Sequence, residues 1–555
     1  MVKKIFIGVA WPYVNGDLHI GHLAGYLFPA DITARFHRYL GDDVLMVSGS
    51  DCFGTPITVE ADKRNLKPQE LVDEYHPKHV ELFKKAGISF NIFTKTATEN
   101  HQQIAQNFFL SFLKKGYIFK NIALQYYDSE HEKFLPDRYV EGECPHCGFE
   151  EARSDQCDNC GRVLDQGELK NPRSRLTGES VELKESEHYF LDLKKLEPFI
   201  KEYFKNTSGN WKPWVRNETK GWLDRGLKPR PFTRDLTWGI PLPVNNISEE
   251  DRIENINNKR IYVWWEAVMG YFSASVEWAE KENRNWKDFW HNKNALHYYF
   301  MGKDNLPFHT MFWPGELHLY DEKLLLPDKP VVNQYLNFGN RQFSKSRRVA
   351  VDSGYIIEKY GLDSVRFYLT FIMPEHADTS FTWEDFIERH NNVLIGNFGN
   401  FVNRTLKIAE GFSINHKILE DRVVEEVEKR IKGAKRNLLE PEYKKYIENL
   451  LALSDFGNKY LSEKEPWKIE DEEEKTAVLS NAVFMVLSLQ AIIKPLLIES
   501  VKKLENIIGV NFDSWPENTE VIKKKLGEVS INNPEPLFQK LDQNIIEKEN
   551  KAAIV

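Results

Sequence analysis

A short buried strand that breaks on a proline–glycine turn and restarts as a helix makes the start of this chain one half of an α/β unit. Ile5-Phe6-Ile7-Gly8-Val9 is an apolar run of strand length, and Leu23, Leu27, Ala30, Ala34 and Leu40 then recur at helical spacing. Between them lies Ala10-Trp11-Pro12-Tyr13-Val14-Asn15-Gly16-Asp17-Leu18-His19-Ile20-Gly21-His22. Pro12 and Gly16 enforce a turn, and Asp17 is expected to cap the helix. His19 and His22 are three apart, so on the first helical turn both rings face one way. A helix N-terminus offers unpaired N–H groups and a partial positive charge, which suits phosphate. Two imidazoles there add donors for a phosphate that gains charge during a reaction. A lone His at such a place reads as a cap or a core residue; Asn-Gly-x-x-His-x-Gly-His after a first buried strand is far more specific.

Val44 to Ile57 reads as a second strand running into a loop, with Asp51 at its carboxyl end, where open α/β sheets keep their ligands. A carboxylate there holds an α-amino group or serves as a turn residue. Cys52 beside it has no neighbour that would activate it as a nucleophile. Helical segments are expected from Pro68 to Lys115. Cys144-x-x-Cys147 and Cys157-x-x-Cys160 follow, with Gly148 and Gly161 after each pair. Each pair forms a turn that aims two thiolates at one centre, and two such turns close a tetrahedral Zn site. Four Cys leave no open position, so the metal is structural. Reduced thiols or two disulfides are the alternatives, and a cytosolic chain disfavours disulfides.

The first stretch resembles the His-Ile-Gly-His signature of class I aminoacyl-tRNA synthetases. Pro12-Tyr13-Val14-Asn15-Gly16 narrows the resemblance to the methionyl, leucyl, isoleucyl, valyl and cysteinyl group, and later segments narrow it to the methionyl family over nearly the whole chain. Asp51-x-x-Gly54-Thr55-Pro56 has that family's form. Asn340-Arg341-Gln342-Phe343-Ser344-Lys345-Ser346 resembles its Lys-Met-Ser-Lys-Ser loop, with Gln342 and Phe343 in place of the first two residues.

The resemblance implies an α/β fold: a Rossmann-type parallel sheet with an inserted zinc-knuckle domain, then an all-α anticodon-binding bundle. The expected boundaries are 1–120 and 231–330 for the two catalytic halves and 121–230 for the insertion. Residues 331–385 form the catalytic-loop and stem-contact region, 386–545 the bundle and 546–555 a polar tail. Ile261 to Ala267 and His297 to Gly302 read as strands of the resumed sheet, and Phe308 to Trp313 begins a helix. The implied function is ATP-dependent activation of L-methionine and its transfer to tRNA(Met). His19, His22 and Lys345 carry the chemistry. Pro12, Gly21, Ser344 and Ser346 join them on ATP, with Mg²⁺. Methionine falls to Ala10, Trp11, Tyr13, Asp51, Trp264, Ala267, Tyr271, His309 and Trp313, whose aromatic rings suit a polarisable thioether. Val268 stands where the family often has Pro. Trp467, at a Pro-Trp turn, and Asn392 and Asn397 on the first bundle helix are the anticodon candidates. A core Trp is the alternative at 467, and the Arg the family often places on that helix has no clear counterpart.

Composition bounds these expectations. The 555 residues suffice for three to four domains. A net charge of −9 means that a tRNA partner needs local basic patches. No apolar run of about 18 residues is apparent, so no membrane span is expected. Ile5 to Ala10 is too short for a secretory apolar core. The expectation is a cytoplasmic monomer. Two rivals remain: a leucyl, isoleucyl, valyl or cysteinyl synthetase, and a non-catalytic tRNA-binding protein on a synthetase scaffold.

Overall fold

The computed structural model describes residues 2–131, 133–136, 139–154, 157, 159–160, 162, 164, 167–175, 177–339, 341–342 and 351–552. The middle strand of its main sheet is β1 (Lys4–Val9). It leads into α1, a continuous rod made of Ile20–His22, a π-helical stretch Leu23–Leu27 and Phe28–Tyr39. β2 (Asp43–Ser50) returns parallel to β1 with Ile5 opposite Val44, and β3 (Ile92–Lys95) extends that edge. α2 (Glu99–Lys114) precedes a long antiparallel ribbon, β4 (Ile118–Asp128) and β5 (Glu182–Leu191), which carries the chain away from the sheet. The chain comes back through α3 (Val263–Lys281), β6 (Leu296–Gly302) on the other side of β1, and β7 (Lys329–Asn333). The strand order is β7-β6-β1-β2-β3, all parallel. The chain thus leaves β1 to one side and fills the other side later. That reversal opens a crevice at the carboxyl end of β1, where doubly wound sheets bind ligands.

Three expectations change here. Ile261 to Ala267 is not a strand: β pairing covers only Lys259–Ile261, and α3 starts at Val263. A continuous apolar run carries no period that separates a buried strand from a buried helix. The stretch Pro68 to Lys115 holds two helices, Pro68–Lys85 and α2, with edge strand β3 between them. The cap of α1 is His19, not Asp17: the Gly21 N–H donates to His19 Nδ1 at 3.2 Å, while Asp17 is exposed. The chain reaches helical dihedrals only after His19, which is itself extended, so the acceptor that faces the free N–H groups is its imidazole.

After the sheet come α4 (Ser353–Tyr360), α5 (Leu362–Phe371) and a helical bundle. α6 runs from Trp383–Glu388 through π-helical Arg389–Gly399 to Asn400–Ala409. α7 (Asp421–Leu439), α8 (Tyr443–Lys464), α9 (Glu472–Ile493), α10 (Glu499–Ile508) and α11 (Thr519–Leu526) follow. Asp471 caps α9 by accepting from the Glu474 N–H at 2.7 Å, and three glutamates in the first turn face the positive end of the helix dipole. Residues 476–493 of α9 are uncharged, so by composition this helix is long and apolar enough to cross a membrane, contrary to the expectation. Its apolar surface is spent inside the protein: every residue from Val478 to Ile493 is buried.

The segment after the bundle runs back along α6, where Asn391 exchanges two hydrogen bonds with Leu541 at 2.8 and 2.9 Å. The expected polar tail is instead helical as far as Ala552: α12 (Ile545–Ala552) docks through Glu549, which accepts from the hydroxyls of Tyr355 and Tyr360 and from Lys359. A buried carboxylate with three donors holds a polar helix that its apolar content alone would not anchor.

Asp31 and Arg366 join sheet to bundle. Both are fully buried, and the guanidinium donates to Asp31 Oδ2 at 2.8 Å and to the carbonyl of Leu496 at 2.7 Å. Asp31 Oδ1 accepts from the Ser89 N–H and hydroxyl. Burial alone would raise Asp31, but the charges of Arg366 and Arg35 bring it below the usual carboxylate range. Its contribution to stability is therefore complete at neutral pH and is lost as pH falls through that lowered pKa. Arg366→Leu should cost about 3–5 kcal/mol, because it strips the main partner from a buried charge. The check is the urea midpoint of single and double variants: Arg366→Leu with Asp31→Leu should lose less than the sum of the two alone.

Candidate active site at the carboxyl edge of the sheet

The turn after β1 is sewn to its neighbours. The Ala10 N–H donates to the Phe300 carbonyl at 2.9 Å, and the Asp51 N–H donates to the Pro12 carbonyl at 2.9 Å. These bonds set Tyr13 beside Asp51 in a local parallel bridge. Two glycines make room for the aromatic residues. A Cβ on Gly49 would lie 2.1 Å from the Trp11 ring, and one on Gly54 would lie 2.1 Å from the Tyr13 ring. Asp51 is 4% exposed, and its Oδ1 accepts from the Phe53 N–H at 3.2 Å. Burial first, and the nearby Glu266 carboxyl second, push it well above the usual carboxylate range. Cys52 is no nucleophile: burial pushes its thiol up to about 12, and the S–H donates to the Ser50 carbonyl.

His19 and His22 stand with ring centroids 4.0 Å apart at the start of α1. Each caps the other's turn, since the His19 N–H points to His22 Nδ1 at 3.2 Å. Because His19 Nδ1 accepts a backbone N–H, its ring proton sits on Nε2. Residues 351–353 lie directly against this turn: the Ile20 N–H donates to Val351 O at 3.1 Å and the Ser353 N–H to Leu18 O at 3.2 Å. The described chain resumes at Val351, against the histidine turn, while Ser344, Lys345 and Ser346 lie outside the described residues.

The apolar end is built by α3 and the helix after β6. The Tyr271 hydroxyl is 2.7 Å from His309 Nε2, and His309 Nδ1 donates to the Asn305 carbonyl at 2.8 Å. Burial holds His309 neutral, its pKa down at about 4. Trp313 is fully buried and donates to the Tyr299 hydroxyl at 3.0 Å. Trp264 stacks on Phe308 at 4.7 Å, and Trp11 meets Tyr271 edge-on at 6.5 Å. Ala267 is half-buried on the same helix, and Val268 is buried next to it.

The knuckle is assembled as the spacing predicts. The four Sγ atoms of Cys144, Cys147, Cys157 and Cys160 all lie within 4.8 Å of one another. The Cys144 N–H bonds to Phe149 O and the Cys157 N–H to Arg162 O, each at 2.9 Å, and Gly148 takes the left-handed turn at φ 72°. The backbone N–H of Phe149 draws the Cys147 thiol down to about 6.

The family described as "tRNA synthetases class I (M)" matches residues 5–406, and "Anticodon binding domain of methionyl tRNA ligase" matches 413–552. The methionine–tRNA ligase of Thermomicrobium roseum is 39% identical over 99% of this chain and 99% of its own length. That of Dehalococcoides mccartyi strain CBDB1 is 40% identical, also with 99% of each chain covered. The chain belongs to the methionyl family of class I tRNA synthetases. The leucyl, isoleucyl, valyl and cysteinyl rivals fall with that result. The fold agrees with it: Mycobacterium tuberculosis methionyl-tRNA synthetase in complex with methionyl-adenylate superimposes with a TM-score of 0.77 at 20% identity, covering 97% of this chain and 100% of that one.

In this methionyl-family chain, the structure gathers Trp11, Tyr13, Asp51, Tyr271, His309 and Trp313 around the crevice, and His19 and His22 at the turn that opens α1. Trp467 lies far along the chain in the bundle and is 44% exposed, which rules out the core reading. Asn392 is exposed, but Asn397 donates its amide to Asp455 at 2.8 Å. Sequence reasoning missed Arg404 on α6, whose guanidinium lies 5.1 Å over the Trp467 ring. It also missed Glu266 and His101. The one signal for Glu266 was its being the lone charge in the apolar run that opens α3.

Proposed function

We propose that the chain is a methionine–tRNA ligase working in two steps at the crevice beside β1. In the first, the methionine carboxylate attacks the α-phosphorus of ATP and pyrophosphate leaves. In the second, a ribose hydroxyl of the terminal adenosine of tRNA(Met) attacks the methionyl-adenylate carbonyl, and AMP leaves. The carrying observation is a buried carboxylate, an aromatic pocket and a helix N-terminus capped by two histidines, all meeting at one switch point. Asp51 takes the α-ammonium. Ala10, Trp11, Tyr13, Trp264, Ala267, Tyr271, His309 and Trp313 surround the thioether. Neutral His19, with its proton on Nε2, donates to phosphate, joined by His22, Pro12, Gly21 and the Ser344-Lys345-Ser346 loop. The catalytic demand is positioning plus charge stabilisation. Mg²⁺ accompanying ATP supplies further neutralisation.

The cysteine cluster suits zinc. Zinc–sulfur bonds of about 2.3 Å in a tetrahedron put sulfurs about 3.8 Å apart, and the Cys144–Cys160 and Cys147–Cys157 pairs stand at 3.9 and 3.7 Å. All four positions are filled by protein, so the metal is structural. In the bundle, the Trp467 ring backed by the Arg404 guanidinium is a platform for an unstacked anticodon base, and exposed Asn392 is within the same domain. We further assign the chain to the cytoplasm and take it to act as a monomer.

His19→Ala, His22→Ala and Lys345→Ala should each slow ATP–pyrophosphate exchange by the equivalent of about 2.7–4 kcal/mol with methionine binding nearly unchanged; three variants exchanging at the parent rate would refute the site. Elemental analysis should find one zinc per chain, and chelation should loosen the ribbon-borne module before the main sheet. Metal-free protein, or disulfides after reducing purification, would refute that assignment. Trp467→Ala should weaken tRNA binding by roughly 1–3 kcal/mol, raise its salt sensitivity little, and leave pyrophosphate exchange and melting temperature alone. Unchanged charging kinetics would place the anticodon elsewhere.

A further inference from the structure

Behind Asp51, α2 and α3 bring together two titratable groups that the reaction derived above does not use. Glu266 is fully buried, and His101 is 1% exposed with its Nε2 2.7 Å from Glu266 Oε2. One arrangement of protons satisfies the whole chain of contacts. The Ser273 hydroxyl stands 3.1 Å from the Gly270 carbonyl and 2.8 Å from His101 Nδ1, and the chain closes when Ser273 donates to Gly270 and accepts from Nδ1. In that arrangement His101 carries its proton on Nδ1, and burial, which holds its pKa down at about 3, keeps the ring neutral. Nε2 then accepts from a proton on Glu266 Oε2 across the 2.7 Å contact. Burial raises Glu266 well above the usual range, in agreement. The other oxygen, Oε1, is a carbonyl-type acceptor that is buried and has no partner among the described residues. A buried acceptor left unpaired is costly and calls for an explanation.

Its place in the fold supplies one. The Trp11 indole is wedged between Gly49 on β2 and Gly270 on α3, with its ring 6.3 Å from that of His101. Gly49 is two residues before Asp51, and Gly270 is one helical turn after Glu266, and the Glu266 carboxyl is near enough to Asp51 to push it upward. We propose that Glu266 is a specificity-determining residue of the amino-acid site: its neutral carboxyl, oriented by His101, offers Oε1 to the substrate's α-ammonium as a second acceptor beside Asp51. This rests on the reading of Asp51 as the ammonium site. An ammonium carries three N–H donors. A neutral second acceptor takes one of them without adding a second buried anion that a single cation could not balance.

Pyrophosphate exchange by the full chain tests this, with two competitors. Methioninol keeps the ammonium and lacks the carboxylate; 4-(methylsulfanyl)butanoate keeps the carboxylate and lacks the ammonium. Glu266→Gln preserves a donor to His101 and the free carbonyl, so the methionine KM should stay within about twofold. Glu266→Met removes the acceptor and should raise the methionine KM and the methioninol inhibition constant about tenfold, the scale of one hydrogen bond. The ATP KM and the butanoate inhibition constant should not move. A butanoate constant that rises in step with the methionine KM would reduce Glu266 to packing and overturn the proposal. So would Glu266→Gln matching Glu266→Met, or Glu266→Met matching the parent. Asp51→Asn separates the two layers. If it leaves methioninol inhibition unchanged, the ammonium site itself is misassigned; if it abolishes inhibition while Glu266→Met does not, only the present inference fails.

Discussion

A single buried ion pair decides how this chain is put together. Asp31 lies on the helix that starts at the histidine turn, and Arg366 lies after the last strand of the sheet, reaching the carbonyl of Leu496 at the end of the bundle's central helix. Three distant parts of the chain thus meet in one guanidinium. Burying two charges brings little net stability when a well-packed apolar pair could replace them. What the pair does impose is geometry, since an Arg fork satisfies its partners in one arrangement only. The apolar core agrees: side chains on one face of the sheet and those of the helical bundle form one continuous cluster. The bundle is therefore fixed relative to the crevice, and the exposed Trp467 stands at a set distance from the sheet domain.

The other face of the sheet packs against the helices that flank the ribbon, in a second large cluster. The knuckle has a third, small cluster of its own, into which Cys144 and Cys157 are themselves counted. So few buried apolar residues cannot outweigh the entropy of ordering a loop-rich module. A metal on the four sulfurs would do what a larger core does: Cys144 and Cys157 are buried within that cluster, while Cys147 and Cys160 close it from the exposed side.

Much of this was legible in the chain. The first strand, the turn and the helix after it could be read because Pro12, Gly16 and a 3.6-residue period all point the same way. The cysteines were legible because a metal dictates spacing. Edge strand β3 was not, since four residues hold too little alternation to stand out, and α3 was not, because a helix buried on nearly all sides loses its stripe. Asp17 was chosen as the cap on residue preference, and the observed cap is an imidazole two residues on. The Glu266–His101 contact spans 165 positions and has no local trace at all. Arg404 escaped notice because its partner, Trp467, is brought to it only by the folding of the bundle.

The use of His19 as a helix cap gives that residue a second duty beside the one proposed for it. Its Nδ1 closes the first turn of α1, and the proposed function asks the same ring to donate to phosphate. On that reading structural integrity and chemistry are drawn from one ring, and a change at this position is felt in both. A chain under pressure to become more stable has no freedom to improve this helix end with a better capping residue such as Ser or Asp. The stability forgone there must come from elsewhere in the molecule.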